Sequence, residues 1–418
     1  MNALSSAVTN PSARVSALAH TTADILREAP CVGPASVNRE VFAVFEAKPD
    51  MQGLPVVEAG RPIGLINRNI FMQSLARPFH REIYLNKSCI AFMDKDPLVV
   101  EAATGIPELS FAVLAGGQKT LADGFIISRQ GQYVGVGQAS DVLGAVAALQ
   151  AEKNRQVMES IDYASVIQKS LSRSSREGLR MALPDHFLIW EPRDVVSGDF
   201  YLFQEFPDGW LLSLFDCTGH GVPGAFMTLI MSSFLQGAIG EGRHRDPAAL
   251  LTDMNRRVKT AMGQVDHSHA EAPDDGDHRS DDGMDAAFCW FDTASRRLTY
   301  AGAHQPLFLL FPEKDEVLTL DGDRMGVGYS TTPMEEAWQN HEIELPPGTH
   351  LYLFTDGFLD QLGGERCIAF GKKRLRAALV EHRGLLMSEQ RAVLLERLHD
   401  YQGIEVRRDD VSAIGIRL

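Results

Sequence analysis

Four aspartates in the C-terminal half of the chain share one setting. Asp199 lies in Ser197-Gly198-Asp199-Phe200-Tyr201. Asp216 follows the apolar run 210–215 and leads into Cys217-Thr218-Gly219-His220-Gly221. Asp356 stands in Thr355-Asp356-Gly357 after the run 351–354, and Asp409 in Arg407-Arg408-Asp409-Asp410 before residues 411–417. A carboxylate at the end of a buried strand is held rigidly, and an adjacent glycine lets backbone or water approach closely. One Asp-Gly by itself reads as a turn. Four carboxylates in one region, each attached to a strand, are harder to assign to turns. With few histidines and no paired cysteines beside them, they suit hard divalent cations such as Mg²⁺ or Mn²⁺.

The scaffold that must position these groups is bounded by length and composition. The chain has 418 residues, which predicts two or three domains. Hydrophobic residues make up 44% and charged residues 23%, the balance of a globular protein with more than one core. The net charge of −15 and a pI near 5.3 argue against sequence-independent binding to nucleic acid. Five widely spaced cysteines (Cys31, Cys89, Cys217, Cys289, Cys367) form no C-x-x-C pair, so neither a disulfide framework nor a structural zinc site is expected. The longest apolar stretch, 226–240, reads as too short and too interrupted to span a bilayer. The N-terminus lacks a basic region ahead of an apolar core, so no signal peptide is expected. The chain reads as soluble and cytoplasmic, with no nucleic-acid or membrane partner.

Four zones follow one another. Residues 1–18 are Ala/Ser-rich and read as a mobile tail. Residues 19–145 hold short β-rich runs and helical patches. Residues 146–178 are rich in helix formers. Residues 179–418 alternate strands, glycine turns and two longer helical stretches.

The second zone contains an internal repeat. Leu54-Pro-Val-Val-Glu58, Gly60 and Pro62-Ile-Gly-Leu-Ile66 run into a helical patch at 69–75. Gly124-Phe-Ile-Ile-Ser128, Gly131 and Tyr133-Val-Gly-Val-Gly137 run into another at 140–146, with Gly60/Gly131 and Gly64/Gly135 at one common offset. Two βαββα units of this kind resemble a tandem cystathionine-β-synthase (CBS) pair, a regulatory α/β module. The resemblance implies an adenine nucleotide held by a Thr and, three residues later, an Asp. Here the positions are Gln138 and Asp141 in the second copy and Asn67 and Ile70 in the first, so only Asp141 matches. Capping of the helix by Asp141 or Ser140 is the plainer reading.

In the third zone Val157, Ile161, Ala164, Ile167 and Leu171 recur at helical spacing on one face. A helix joining two domains has little else to cover such a stripe, so a parallel homodimer seam is expected.

The order GDFY, DCTGHGVPGAFMT, DGMDAAF, YAGAHQP, LYLFTDGFLD and RRDDVSAIGI resembles the metal-dependent protein phosphatases of the type 2C superfamily, and within it the bacterial SpoIIE-type branch. The resemblance runs from about residue 160 to 418. It implies an α+β fold, a two-sheet antiparallel β-sandwich flanked by helices, with metals at one end. It implies two Mn²⁺ or Mg²⁺ ions, with Asp216 bridging them, Asp199 holding one, and Asp356, Asp409 and the Cys217 carbonyl completing the set. Asp410 is expected behind Asp409. Asp281 or Asp282 stands where some members bind a third metal, and Asp285 where the branch usually has Thr.

The chemistry implied is hydrolysis of a phosphoserine or phosphothreonine by a metal-bridging water, because cations must neutralise the phosphate before a nucleophile can approach. The substrate implied is a small phosphorylated anti-anti-sigma-type regulator. His220 reads as a candidate acid or as a stabiliser of the turn into the following helix, the second being preferred. Arg193 reads as a phosphate contact or an ordinary surface arginine, and His304 as part of a structural turn. The polar, acidic segment 264–285 is expected to be a flexible loop. The rival reading of the whole chain is a ligand-sensing dimeric scaffold with a non-catalytic phosphatase-like domain.

Overall fold

The computed structural model describes residues 18–264 and 281–418. The expected tail and most of the expected loop therefore lie outside the described residues. The chain divides into two compact units, Met1–Val157 and Met158–Leu418.

The first unit is built twice over. In the first copy, Val32 bridges parallel to Val56. Then come α1 (Asn38–Ala47), β1 (Gly53–Glu58), β2 (Arg61–Asn67) and α2 (Arg68–Leu75), followed by the short α3 (His80–Tyr84). The second copy is β3 (Val99–Glu101), α4 (Ile106–Ala115), α5 (Gly117–Asp123), β4 (Phe125–Arg129), β5 (Gln132–Gly137) and α6 (Ala139–Leu171). In each copy a parallel contact is followed by an antiparallel hairpin. The hairpins agree in detail. Each shifts register at the equivalent step, Val56/Val57 and Ile127/Ser128. Each turns through two residues of positive φ, Ala59 (50°) and Gly60 (82°) in one, Gln130 (53°) and Gly131 (73°) in the other. A two-residue turn with both φ angles positive matches the right-handed twist of its strands, which is why glycine recurs there. Each copy has its own core, around Phe45, Ile66 and Phe71 in the first and Ile106, Leu109 and Phe125 in the second.

The helix expected over 146–178 differs in both bounds. It begins at Ala139, running through the helical patch 140–146 and past Gly144 because Val142 and Ala145 bury into the N-terminal core, and it breaks at Ser172 before α7 (Arg173–Ala182).

The second unit continues with β6 (His186–Glu191), β7 (Asp199–Phe206), β8 (Gly209–Cys217), α8 (Gly221–Gly240), α9 (Pro247–Ala261), β9 (Met284–Asp292), β10 (Arg297–Ala303), β11 (Leu307–Leu310) and β12 (Val317–Leu320). It ends with β13 (His341–Glu344), β14 (His350–Phe354), α10 (Asp356–Leu359), β15 (Leu362–Gly363), β16 (Ile368–Ala369), α11 (Gly371–Glu381), α12 (Met387–Gln402) and β17 (Val411–Arg417). Its two main sheets are five-stranded and antiparallel, in the orders β13-β10-β9-β8-β7 and β12-β11-β14-β17-β6. Strand side chains alternate between faces, so β8 sends Leu212 and Leu214 into the layer between the sheets and Leu211, Phe215 and Cys217 toward α8 and α9. Both faces are covered, which is why the run 210–215 is almost continuously apolar. The far sheet is covered by α11 and α12 through Leu375, Leu379, Leu394 and Leu398.

By length and composition alone α8, which starts five residues before the run 226–240, is long and apolar enough to cross a membrane; half of that apolar window is buried inside the domain. Strand β9 begins at Met284, so the expected loop reached two residues too far. All five cysteines are free.

Candidate active site

The strand ends bring the aspartates together. Asp199 is the first residue of β7 and pairs in register with Asp216 near the end of β8. Asp216 pairs in turn with Asp285 at the start of β9. Residues directly opposite one another share a face. By alternation that face is the one carrying Tyr201, Leu214 and Ala287, between the sheets. From the other sheet, Asp356 follows β14 after Thr355 and opens α10, Asp409 and Asp410 directly precede β17, and β14 and β17 are neighbours. One hairpin, β7–β8, and three strands distant from it in sequence, β9, β14 and β17, thus bring their carboxylates to one end of the sandwich.

Contacts across the sheets fix the arrangement. Thr355 Oγ1 donates to Asp199 Oδ2 at 2.9 Å and accepts the Ser412 N–H at 3.0 Å. The Trp190 indole donates to the Asp199 carbonyl at 3.0 Å. Asp216 and Asp356 meet side chain to side chain. Asp410, buried, accepts the Arg193 N–H and the Gly198 N–H, both at 2.6 Å, so it braces the turn before Asp199. Gly198 is obligatory there: a Cβ would come within 2.5 Å of the Gly219 carbonyl and 3.0 Å of the Cys217 carbonyl. Gly357 is equally confined, against the Asp410 carbonyl.

The electrostatics are those of a site short of positive charge. Burial, and then the charges of Asp410 and Asp356, hold Asp199 well above the usual carboxylate range. Burial, and then Asp199, Asp356 and Asp409, do the same to Asp216. Burial raises Asp356, reinforced by Asp409 and Asp360. The Oδ1 of Asp199 is buried without a hydrogen-bond partner among the described residues. A buried anionic oxygen left unpaired is costly. This orphaned oxygen and an all-oxygen donor set fit a hard divalent cation. Among the described residues no group of three or more His, Cys, Asp or Glu side chains is arranged so that it could hold a metal ion as it stands.

Other singled-out residues fall around this centre. His304 has a left-handed backbone (φ 58°), and its ring reaches Asp285 through Nδ1 at 2.9 Å and the Arg324 carbonyl through Nε2 at 2.6 Å. His220 precedes α8 and meets Asp194 at 2.8 Å, the geometry of a stabilised turn. Arg193 donates to the Arg408 carbonyl at 2.8 Å. Asp281 accepts the Ser330 N–H at 2.7 Å. In the N-terminal unit, Asp141 lies in the first turn of α6 and is held by Arg27 at 2.7 and 2.6 Å.

Two participants were not legible as such. Thr355 was visible only as the neighbour of Asp356. Gln168, on α6, is buried; its Nε2 donates to the Ser197 carbonyl at 2.7 Å and to Thr228 at 3.0 Å, while its Oε1 accepts the Ser197 N–H at 3.1 Å. It grips the residue two before Asp199. The only sequence signal was Ile167-Gln168-Lys169-Ser170-Leu171, which resembles the I-Q-x-x-L ending of this helix in the SpoIIE-type branch.

Two antiparallel sheets with aspartates gathered between them at one end define the type 2C class of serine/threonine phosphatase domains. Residues 207–418 match the family described as Stage II sporulation protein E (SpoIIE). The chain belongs to this family and is a protein serine/threonine phosphatase. The SiaA-PP2C domain of Pseudomonas aeruginosa is 35% identical with a TM-score of 0.56, over 64% of this chain and 99% of that one. The phosphatase domain of SpoIIE from Bacillus subtilis, solved with a fragment of its regulatory domain, is 15% identical with a TM-score of 0.43, over 56% of this chain and 62% of that one. RsbX, solved in complex with magnesium, is 15% identical with a TM-score of 0.38, over 56% and 94%. No curated protein matches. The family match does not extend to the N-terminal unit.

Proposed function

We propose that the chain is a Mn²⁺- or Mg²⁺-dependent phosphatase of a small phosphorylated regulatory protein of the anti-anti-sigma type, controlled through its N-terminal unit. The observation that carries the metal dependence is the convergence of Asp199, Asp216, Asp356 and Asp409 at one sandwich end, where the charges acting on the first two are other carboxylates. In this reading Asp216 is shared between two ions, Asp199, Asp356 and Asp409 complete the carboxylate set, and the Cys217 carbonyl adds a backbone oxygen. Divalent ions held by these residues would supply charge to neutralise the phosphate dianion and to acidify a water. The protein's own part is to hold the oxygens: Thr355 orients Asp199, Asp410 braces the Gly198 turn, and Gly198 keeps the carbonyl side open.

The substrate class rests on family membership. Control rests on α6, whose C-terminal half buries the polar Ser165 and Gln168 while Val157, Ile167 and Leu171 of its apolar stripe stay exposed; its buried apolar residues Ala139, Val142 and Ala145 belong to its first turns, in the N-terminal core. An amphipathic helix normally does the reverse, so we assign the apolar stripe to a homodimer seam. The repeat of the N-terminal unit supports a CBS-like regulatory pair. A nucleotide there meets Asp141 already engaged by Arg27. Free cysteines suit the reducing cytoplasm, which cell fractionation would check.

The deciding experiment is phosphate release from a generic phosphomonoester with Mn²⁺. Wild type should turn over and lose activity with chelator. Asp216→Asn, folded by circular dichroism, should lose at least about 100-fold, in line with loss of a metal's charge stabilisation. Near wild-type turnover in the variant would refute the ligand set. Deletion of residues 1–145 should change the rate, and equal rates across protein concentrations would refute N-terminal control.

A further inference from the structure

Residues 321–340, between β12 and β13, form neither helix nor strand, yet the segment is fastened along its length. Asp323 pairs with Gly302 and His304 through its backbone, and Val327 pairs with Met284. The strongest fastening comes from α9. Lys259 is fully buried, and its ammonium donates to the carbonyls of Tyr329 at 2.8 Å, Ser330 at 3.4 Å and Thr332 at 2.6 Å. One helical turn earlier, buried Asn255 accepts the Gly328 N–H at 2.9 Å and donates to the Pro333 carbonyl at 2.8 Å. A lysine has three N–H donors, and all three are used on one loop. Burying a charge for this is costly, and a core helix with no loop to hold would be better served by an apolar residue.

The loop so held delivers Tyr329. Its ring fills a slot between two glycines: a Cβ on Gly283 would come within 2.8 Å of the ring and one on Gly326 within 2.3 Å. Its hydroxyl lies beside the Thr218 hydroxyl and the Asp285 carboxylate. Thr218 is itself tied to Gly283, its Oγ1 accepting the Gly283 N–H at 2.8 Å and its N–H donating to the Gly283 carbonyl at 3.0 Å. This turn directly follows Asp216 and Cys217.

We propose that Tyr329 is a positioning residue of the phosphatase site: with the Thr218 hydroxyl proton spent on the Gly283 carbonyl at 3.0 Å, the single Tyr329 hydroxyl proton is shared between the Thr218 oxygen and the Asp285 carboxylate and so steadies the Asp216–Thr218 turn, and Lys259 and Asn255 hold the strap that delivers it. The proposal rests on the reading of Asp216 and Cys217 as metal-holding. Partners behind a metal ligand set its orientation, and their loss commonly weakens metal binding by about 10–100-fold.

The test is direct Mn²⁺ binding to the full-length protein, followed by the electron paramagnetic resonance signal of free Mn²⁺, without substrate. Tyr329→Phe removes one hydroxyl and should weaken binding about 10-fold with no change in the metal-free unfolding midpoint. Lys259→Met, where it folds, should weaken binding to a similar degree. Tyr352→Phe removes a buried hydroxyl bonded to Gln390 in another part of the core, and should leave Mn²⁺ affinity unchanged. Wild-type affinity in Tyr329→Phe, or an equal loss in Tyr352→Phe, overturns the proposal. Asp216→Asn separates the two layers of the argument. If it loses Mn²⁺ while Tyr329→Phe does not, only the strap proposal fails. If Asp216→Asn binds Mn²⁺ like wild type, the metal assignment fails and takes the proposal with it.

Discussion

At the scale of single residues, the site depends on side chains that never face the reacting phosphate. Gln168 illustrates the logic. Its amide satisfies both the N–H and the carbonyl of Ser197, two residues before Asp199, from a helix that otherwise lies outside the sandwich. A leucine of similar size cannot do either, and it would leave two buried backbone groups unpaired, a cost of about 1–3 kcal/mol per group. Gln168→Leu should therefore lower turnover about 10-fold or more, consistent with a displaced metal partner, and Gln168→Glu, which keeps the acceptor, should lose less. Equal activity of Gln168→Leu and wild type at saturating Mn²⁺ would show that the grip on Ser197 is not needed. Asp410 belongs to the same class. Its two oxygens are spent on the N–H groups of Arg193 and Gly198.

At the scale of elements, α6 carries the most consequential asymmetry. In its C-terminal half the buried Ser165 and Gln168 are polar, while Val157, Ile167 and Leu171 of its apolar stripe are exposed and Ile161 and Ala164 are half-buried. Ile161→Asp combined with Ile167→Asp places two charges on that stripe. In a dimer seam those charges must be desolvated, which is strongly unfavourable unless they are neutralised. Wild type should sediment as a dimer at micromolar concentration and the double variant as a monomer. A monomeric wild type would refute the seam, and a double variant that remains dimeric would move the interface to the N-terminal pair. The stripe itself was legible from spacing. That the C-terminal half of the helix would bury Ser165 and Gln168 was not, because polar residues at helical spacing ordinarily face water.

At the scale of the whole molecule, the second unit is closed by a network near its chain end. His350, buried at the start of β14, accepts from the Arg417 guanidinium through Nε2 at 2.9 Å and meets the Tyr352 hydroxyl through Nδ1 at 2.9 Å. An acceptor nitrogen must be unprotonated, so the imidazole is neutral. Burial, then the nearby Arg417 and Arg383 charges, push its pKa down to about 4 against the opposing charge of Asp185. The unfolded chain takes up this proton near 6.5 and the folded chain only near 4. The contribution is thus complete above about 6.5 and is lost as pH falls toward 4. Urea unfolding at several pH values should show this loss, and His350→Gln should flatten it. A variant that loses stability as steeply as wild type between those limits would assign the effect elsewhere.

What the sequence determined is local. Apolar runs, Asp-Gly steps, the paired hairpins and the helical stripe are patterns of nearest neighbours, and each is set by alternation, φ preference or a 3.6-residue period. The carboxylates Asp199, Asp216, Asp356 and Asp409 could be singled out for the same reason, since each is attached to its own strand. Only the tertiary structure decided which of them meet. Register places Asp199 beside Asp216 and Asp216 beside Asp285, and sheet order brings Asp356 to Asp409. Gln168, Thr355, Lys259 and Tyr329 act through partners distant in the chain, chosen by strand pairing and layer packing. No local spacing encodes such a choice, because a hydrogen bond across a core depends on where two elements come to rest, and that is fixed by burial of the whole set together.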